Sequence, residues 1–171
     1  MRRFRLAVPE DLPGLVTVEA SPGTSRWLGD TGTAWHEAVL ADTDAEHLVC
    51  VENDVVLGFV VLADLRRQRD GVELRRIVVD AVVRGTGVGA DLLRFATDRA
   101  FGHHGARSVW LDVKADNTRA QQVYARAGFG RVRVDHGALT EPDGTLVDLV
   151  IMALPRHVTP TETGPRGGAS R

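Results

Sequence analysis

The first half of the chain mixes apolar positions of helical period with short apolar runs of strand length. Phe4–Val8 predicts a strand, Pro9-Glu10 opens an amphipathic helix, and a second short helix is expected around Ala34–Leu40. Three apolar runs then follow, and Asn53-Asp54 between the first two is typical of a hairpin turn. These predicted strands are His47–Val51, Val55–Ala63 and Val72–Val79.

The second half alternates between helical and strand patterns. One helix carries an apolar stripe and is followed by a strand, Val109–Val113. A further helix, Asn117–Ala127, ends at Gly128, where a left-handed cap is expected. Two final strands, Phe129–Val134 and Leu146–Leu154, enclose a turn at 142–144. The stripe consists of Val88, Leu92, Leu93, Ala96 and Ala100.

This order of elements predicts an α+β fold with helices flanking a sheet in three layers. Hairpins feed into a strand–helix–strand crossover, so the sheet should be mixed and mostly antiparallel, with six or seven strands. Residues 1–158 are expected to form a single domain. Residues 159–171 are rich in Pro, Gly, Thr and Ser, which predicts a disordered tail.

Composition narrows the class of protein. The 171 residues carry a formal charge of -2, which gives no basic field for nucleic acid. No apolar run approaches the roughly 20 residues that span a bilayer, so a cytoplasmic protein is expected. The single cysteine, Cys50, lies in an apolar run and is predicted to be a buried hydrophobe. The six histidines show no metal-ligand spacing, so no metal is predicted.

A glycine-rich turn, Arg84–Gly89, joins a predicted strand to a predicted helix. Glycine permits positive φ and close approach of a ligand, and the N–H groups of a helix N-terminus favour an anion. The turn therefore predicts a diphosphate site, with Arg84 adding charge at its rim. Tight packing is the simpler explanation for such glycines. The turn also satisfies a dinucleotide fingerprint, but it lies mid-chain and lacks the acidic residue expected about 20 positions onward.

A second motif favours one of these explanations. Asn117-Thr118-Arg119-Ala120 leads to Tyr124 and then to Gly128-Phe129. Together with the glycine turn, this resembles the GNAT superfamily of acyl-CoA-dependent N-acyltransferases, over about Val72 to Phe129. The resemblance implies a GNAT-like fold and acetyl-CoA as co-substrate. Ala81 departs from the family, which often carries proline there, and this should only loosen the bend before the turn.

The resemblance also implies roles for particular residues. Backbone N–H groups of the turn would bind the pyrophosphate, and the main chain of Val79 would bind the pantetheine arm. The N–H of Ile77 is a candidate oxyanion donor. Tyr124 would protonate the departing thiolate, although it can equally be packing on an apolar stripe. Asn117 would either contact the cofactor or cap its helix. The turn residues are Arg84, Gly85, Thr86, Gly87, Val88, Gly89 and Ala90.

Glu73 is the predicted general base. An alkylammonium group of pKa about 10.4 is neutral in only about one molecule in 2,500 at pH 7. The proton of such an acceptor must therefore be removed before it can attack. Glu73 is about 13 Å along an extended strand from Ile77, so it would act through water. Alternation places Arg75 on the same face, where an ion pair would lower the pKa of Glu73.

The predicted activity is direct transfer of acetyl from acetyl-CoA to a primary amine in a ternary complex. The acceptor is either a small cationic molecule, suggested by acidic residues in the flanking loops, or a peptide or protein amine. A non-catalytic acyl-CoA-binding module is the alternative, and a dinucleotide-binding protein is a remote one. The family resemblance also implies that the chain could form a homodimer through its final strands.

Overall fold

A computed structural model describes residues 1–157, so the predicted tail at 159–171 lies outside the described residues. The described part of the chain contains seven strands: Arg3–Leu6 (β1), Ala45–Glu52 (β2), Val55–Ala63 (β3), Val72–Val79 (β4), Ser108–Lys114 (β5), Gly130–Thr140 (β6) and Leu146–Pro155 (β7). The α-helices are Leu12–Glu19 (α1), Thr33–Ala41 (α2), Val88–Gly102 (α3) and Thr118–Arg126 (α4). The predicted order of elements is confirmed.

The seven strands form one sheet in the order β1-β2-β3-β4-β5-β7-β6. All neighbouring pairs are antiparallel except β4 and β5, which are parallel and are joined through α3. The β2–β3 turn places Asn53 and Asp54 at φ 50° and 61°, the left-handed geometry that a two-residue hairpin requires. The predicted mixed, mostly antiparallel α+β sheet is confirmed.

Helices cover the two faces of the sheet unequally. The apolar stripe of α3, including Leu92 and Ala96, packs on one face, and α4 contributes Ala120 and Tyr124 to the same core. On the other face, Leu15 of α1 and Val39 of α2 pack only on β2, β3 and β4. Within residues 1–157, no helix therefore covers the part of this second face formed by β5, β7 and β6, which we call the open face.

A buried polar cluster lies beneath α1 and α2. Glu19 is 3% exposed and accepts a hydrogen bond from Arg76 Nη1 at 2.9 Å, while Arg76 stacks on Trp35 at 3.7 Å. His36 Nε2 lies 3.1 Å from Glu19, and His36 Nδ1 lies 2.8 Å from His47 Nε2. Each charge in this cluster has an opposite charge beside it, which limits the cost of burying it.

Among residues 1–157, no helix combines the length and apolar character needed to cross a membrane.

Candidate active site

The sheet opens between β4 and β5. Their parallel pairing is limited to Val72 with Val109 and Glu73 with Trp110. Beyond these pairs β4 stays on β3 as far as Val79, and β5 stays on β7 as far as its last residue. The two carboxyl ends therefore diverge and leave a gap whose edges are unpaired backbone.

A β-bulge in β4 lies near the point where the gap begins. Val61 of β3 pairs with Arg76 while Leu62 pairs with Leu74, so Arg75 is an extra residue without a partner on β3. A bulge of this kind interrupts the alternation of side chains and increases the local twist. Such a twist directs the end of β4 away from β5.

The main chain of β4 presents hydrogen-bonding groups to the gap. The bond from Asp80 N–H to Leu57 O (2.9 Å) makes Val79 and Gly58 a non-hydrogen-bonded pair. In an antiparallel ladder the N–H and C=O of such a residue point away from its partner strand, and the same holds two residues earlier at Ile77. The amides of Ile77 and Val79 therefore face the gap, as the two predicted backbone roles require.

The glycine turn closes the carboxyl end of β4 and begins α3. Gly85 and Gly87 have φ values of 81° and 89°, and a Cβ built on either meets nothing within 4 Å. Their positive φ values therefore favour glycine at both positions. Close packing is not the reason for it, because a side chain would meet no neighbouring atom. At Gly89 a Cβ would lie 3.4 Å from the side chain of Val79, an ordinary van der Waals contact, so packing does not require glycine there either.

Gly87 is the N-cap of α3, and the first intrahelical bond is donated by Asp91 to Gly87 O. The N–H groups of Val88, Gly89 and Ala90 consequently have no partner one turn back in the helix. The open space above the turn and these outward donors together fit a bound diphosphate. The N–H of Thr86, by contrast, donates to Val83 O at 3.2 Å inside the turn.

Arg84 lies differently from the prediction that it adds charge at the phosphate rim. Its Nε donates to Val79 O at 3.2 Å, and its Nη1 donates to Pro22 O at 2.7 Å. Its Nη2 donates to the hydroxyls of Ser21 and Thr24. The guanidinium is therefore committed to the loop between α1 and α2.

Tyr124 lies on α4 against Phe129, with ring centroids 5.9 Å apart. Burial, with a smaller contribution from the Asp112 carboxylate, raises the pKa of Tyr124 to about 12. The phenol is thus protonated at neutral pH and able to donate a proton or a hydrogen bond. Asn117 Oδ1 accepts from Ala120 N–H at 3.2 Å, so of the two predicted roles the helix cap is the one formed within the chain.

Glu73 forms the ion pair that alternation predicted, with Arg75 Nη2 2.9 Å from Glu73 Oε2. Arg75 lowers the pKa of Glu73, as the ion pair predicts, but it does not decide the net shift. Burial raises the pKa of Glu73 above its ordinary value, and this effect outweighs the lowering by Arg75. The sequence could not reveal how little of this side chain reaches water.

Asp112 is a site residue that the sequence-based prediction missed. It lies on β5 facing the open face, and its charge raises the pKa of both Tyr124 and Glu73. Although Asp112 is exposed at the sheet surface, the surrounding protein partly desolvates its carboxylate, and this effect with nearby Asp135 raises its pKa. The alternation of β5, which buries Leu111 and Val113 on the other face, was the available signal.

One cluster of the described residues has metal-ligand character. Glu46, His103 and His104 bring their ligand atoms within 4.8 Å of one another at the end of α3. Arg99 already makes a two-pronged ion pair with the Glu46 carboxylate. This cluster is accounted for as an ion-paired helix terminus.

Comparison with known proteins places this geometry in a family. Residues 13–129 match the sequence model of the Acetyltransferase (GNAT) family. The ribosomal protein bS18-alanine N-acetyltransferase of Haemophilus ducreyi is 30% identical over 108 residues, which cover 63% of this chain and 72% of the relative.

Two solved structures show the same fold. The ribosomal-protein-S18-alanine N-acetyltransferase of Escherichia coli superposes with a TM-score of 0.74 at 23% identity, covering 95% of this chain and 98% of the other. The yncA protein of Salmonella typhimurium, solved with its cofactor acetyl-CoA, gives a TM-score of 0.73 at 23% identity, covering 95% and 99%. The match across residues 13–129, together with the shared fold, establishes that this chain belongs to the GNAT family of acetyltransferases.

Proposed function

We propose that this acetyltransferase binds acetyl-CoA along the β4–β5 gap and transfers its acetyl group directly to an amine that approaches from the open face. The observation that carries the proposal is the meeting of three elements at one gap. Backbone donors line its β4 edge, the glycine turn closes its end, and the Asp112 carboxylate lies close enough to Tyr124 to raise the pKa of the phenol.

The donor would be held by main-chain groups of β4 and the turn. The N–H groups of Gly85, Gly87, Val88, Gly89 and Ala90 would receive the pyrophosphate, and Thr86 would shape the turn. The Val79 N–H would bind the pantetheine arm as an added strand does. The Ile77 N–H would stabilise negative charge on the carbonyl oxygen during attack.

The acceptor amine would attack the thioester carbonyl, so that a C–N bond forms and the C–S bond breaks. Tyr124 would donate its proton to the departing sulfur, because its raised pKa keeps it protonated. The proton leaving the amine would pass to a carboxylate on the open face. Cys50 is fully buried in the α3 core, and the proposal contains no acetylated cysteine.

Two carboxylates are candidates for that proton. Glu73 is held by Arg75, whereas Asp112 is exposed and makes no ion pair within residues 1–157. We therefore assign the base to Asp112, with Glu73 as the alternative. Asp112→Asn and Glu73→Gln are matched neutral variants, and kcat/KM against pH distinguishes them. Asp112→Asn should lower kcat/KM by about 10²-fold and remove the acidic limb. An unchanged profile for either variant excludes that residue.

We infer that the acceptor is the α-amino group of a peptide or protein. Two of the acidic loop residues that suggested a polycationic acceptor already have basic partners, since Glu141 pairs with Lys114 and Asp148 contacts His136. Beside the open face, Glu73 and Asp135 pair with Arg75 and Arg133 in the same way, which leaves less free negative charge there for a polycation. An α-amino group of pKa near ~8 is neutral in about one molecule in ten at pH 7, so a single carboxylate suffices for it. The name of the Haemophilus ducreyi relative supports the same class.

An acceptor panel tests this choice. CoA-thiol release would be followed with an alanine-initiated peptide, the same peptide N-acetylated, spermidine and an aminoglycoside. The free peptide should give the highest kcat/KM and its acetylated form none. Faster turnover of spermidine would contradict the peptide assignment. Binding of acetyl-CoA without release from any amine would favour a non-catalytic acyl-CoA-binding module.

A further inference from the structure

The loop between α1 and α2 (residues 20–32) runs from the end of β4 to the end of β5. At its start, Arg84 donates to Ser21, Pro22 and Thr24. Further along, Lys114 Nζ donates to Arg26 O at 3.1 Å. Because Arg84 follows β4 and Lys114 ends β5, the loop is attached on both sides of the gap, on the face from which the acceptor would arrive.

Arg84 and Lys114 each donate hydrogen bonds to more than one segment of the chain. Arg84 joins the loop to the carbonyl of Val79, the residue whose amide faces the gap. Lys114 is the only lysine of the chain and is 14% exposed, and it also pairs with Glu141 in the β6–β7 turn. Loop, donor turn and last hairpin are thereby connected through two side chains. The end of the loop is fixed independently, since Gly32 N–H donates to the buried Glu19 at 3.0 Å.

We propose that Arg84 and Lys114 are positioning residues that hold the 20–32 loop as a strap across the mouth of the gap and thereby set acceptor selectivity. This inference rests on the proposed function for what the strap does, although its attachment is a property of the folded chain. Neither residue contacts the donor phosphates in this assignment. Loss of either attachment would loosen the 20–32 loop, which borders the acceptor side of the gap, and would leave the glycine turn in place.

The sharpest test separates acceptor binding from donor binding. Arg84→Met and Lys114→Met keep an unbranched, largely apolar stem and remove the charge and the donors of each side chain. Because a loop that has lost an attachment no longer holds the acceptor in its productive geometry, the acceptor KM should rise about tenfold in each variant. The Kd for acetyl-CoA, measured by calorimetry, should stay within about twofold. Arg84→Lys and Lys114→Arg should restore part of the acceptor KM, which a general folding defect would not allow.

A matched control removes an arginine that has no part in the strap. Arg3→Met breaks the exposed pair between Arg3 of β1 and Asp54 of the β2–β3 turn; β1 is an edge strand separated from β4 by β2 and β3, so the acceptor KM should be unchanged. Because both attachments act on one loop, Arg84→Met and Lys114→Met should combine less than additively in their effect on KM.

Hydrogen–deuterium exchange tests the strap without any acceptor. Amide exchange in residues 20–32 should accelerate in both Met variants and in neither control nor wild type. This measurement stands even if no amine is acetylated, so failure of the strap and failure of the proposed function give different results. A raised Kd for acetyl-CoA in Arg84→Met with an unchanged acceptor KM would overturn the proposal and return Arg84 to the phosphate site. Unchanged exchange in both variants would also overturn it.

Discussion

Lowering the pH from 7 to 5 should destabilise the protein, because two histidines are buried in their neutral form. His36 is fully buried and His47 is 3% exposed. Burial lowers the pKa of both imidazoles, and that of His47 falls from 6.5 to about 3. In the unfolded chain both groups take up protons below about pH 6.5, whereas in the folded protein both do so only at lower pH, and His47 only near pH 3. Stability therefore falls with the pH through this window.

The size of the effect follows from the shift at His47. At pH 5 about 97% of unfolded chains carry a proton on this residue, and linkage then gives a loss of roughly 2 kcal/mol relative to pH 7. Below pH 3 the loss approaches roughly 5 kcal/mol. His36 adds in the same direction, although its neighbour Glu19 opposes the shift. A loss of 2 kcal/mol is a large part of a typical total stability of about 5–15 kcal/mol.

Denaturant unfolding at pH 7, 6 and 5 measures the effect directly. His47→Gln removes the titrating group while keeping an amide in the cluster, so the difference in unfolding free energy between wild type and variant should shrink by roughly 2 kcal/mol from pH 7 to pH 5. His136→Gln is the matched control, because His136 is exposed and its ion-pair partner among residues 1–157 is the surface residue Asp148. An equal wild-type-to-variant difference at pH 7 and pH 5 would refute the account of a buried neutral histidine.

Three further substitutions have defined outcomes. Gly87→Ala forces a φ of 89° on a residue with a side chain; it should cost about 1–2 kcal/mol in thermal unfolding and raise the acetyl-CoA Kd measured by calorimetry. Tyr124→Phe should lower kcat by about 10²-fold with little change in the acceptor KM. Because the pKa of Tyr124 is raised to about 12, the wild-type pH–rate profile should show no loss from its ionisation below about pH 10. Cys50→Ala should keep turnover in a steady-state assay and lose about 1 kcal/mol of stability, because this thiol is packed in the core.

Local sequence patterns were sufficient to predict the order of helices and strands. The stripe of α3 and the apolar runs of β2 and β3 have the periods of their elements, and their apolar positions face a core except for Val55 at the exposed start of β3. Asn53-Asp54 and Gly128 mark their turns because so few residue types accept positive φ. The glycine turn was likewise recognisable, since its geometry depends on its own residues.

Contacts between distant segments were not accessible in the same way. Arg84 belongs to the glycine turn in sequence, but its donors are used by residues about sixty positions earlier. His36 and His47 are separated by eleven residues and meet only because α2 packs on β2. Nothing in the local pattern distinguishes these side chains from solvated ones, so their roles follow from the tertiary structure alone.

The bulge in β4 shows that one of these distant arrangements did leave a trace in the sequence. With uninterrupted alternation from Glu73, the side chain of Arg76 would enter the apolar core beneath α3, where an unpaired charge costs several kcal/mol. The extra residue at Arg75 instead places Arg76 on the other face, against Glu19 and Trp35. It also returns the side chain of Ile77 to the α3 core and so leaves its amide directed into the gap. Two consecutive arginines inside an otherwise alternating strand are therefore the signal that β4 must bulge, and the same irregularity that shelters Arg76 prepares the proposed oxyanion donor.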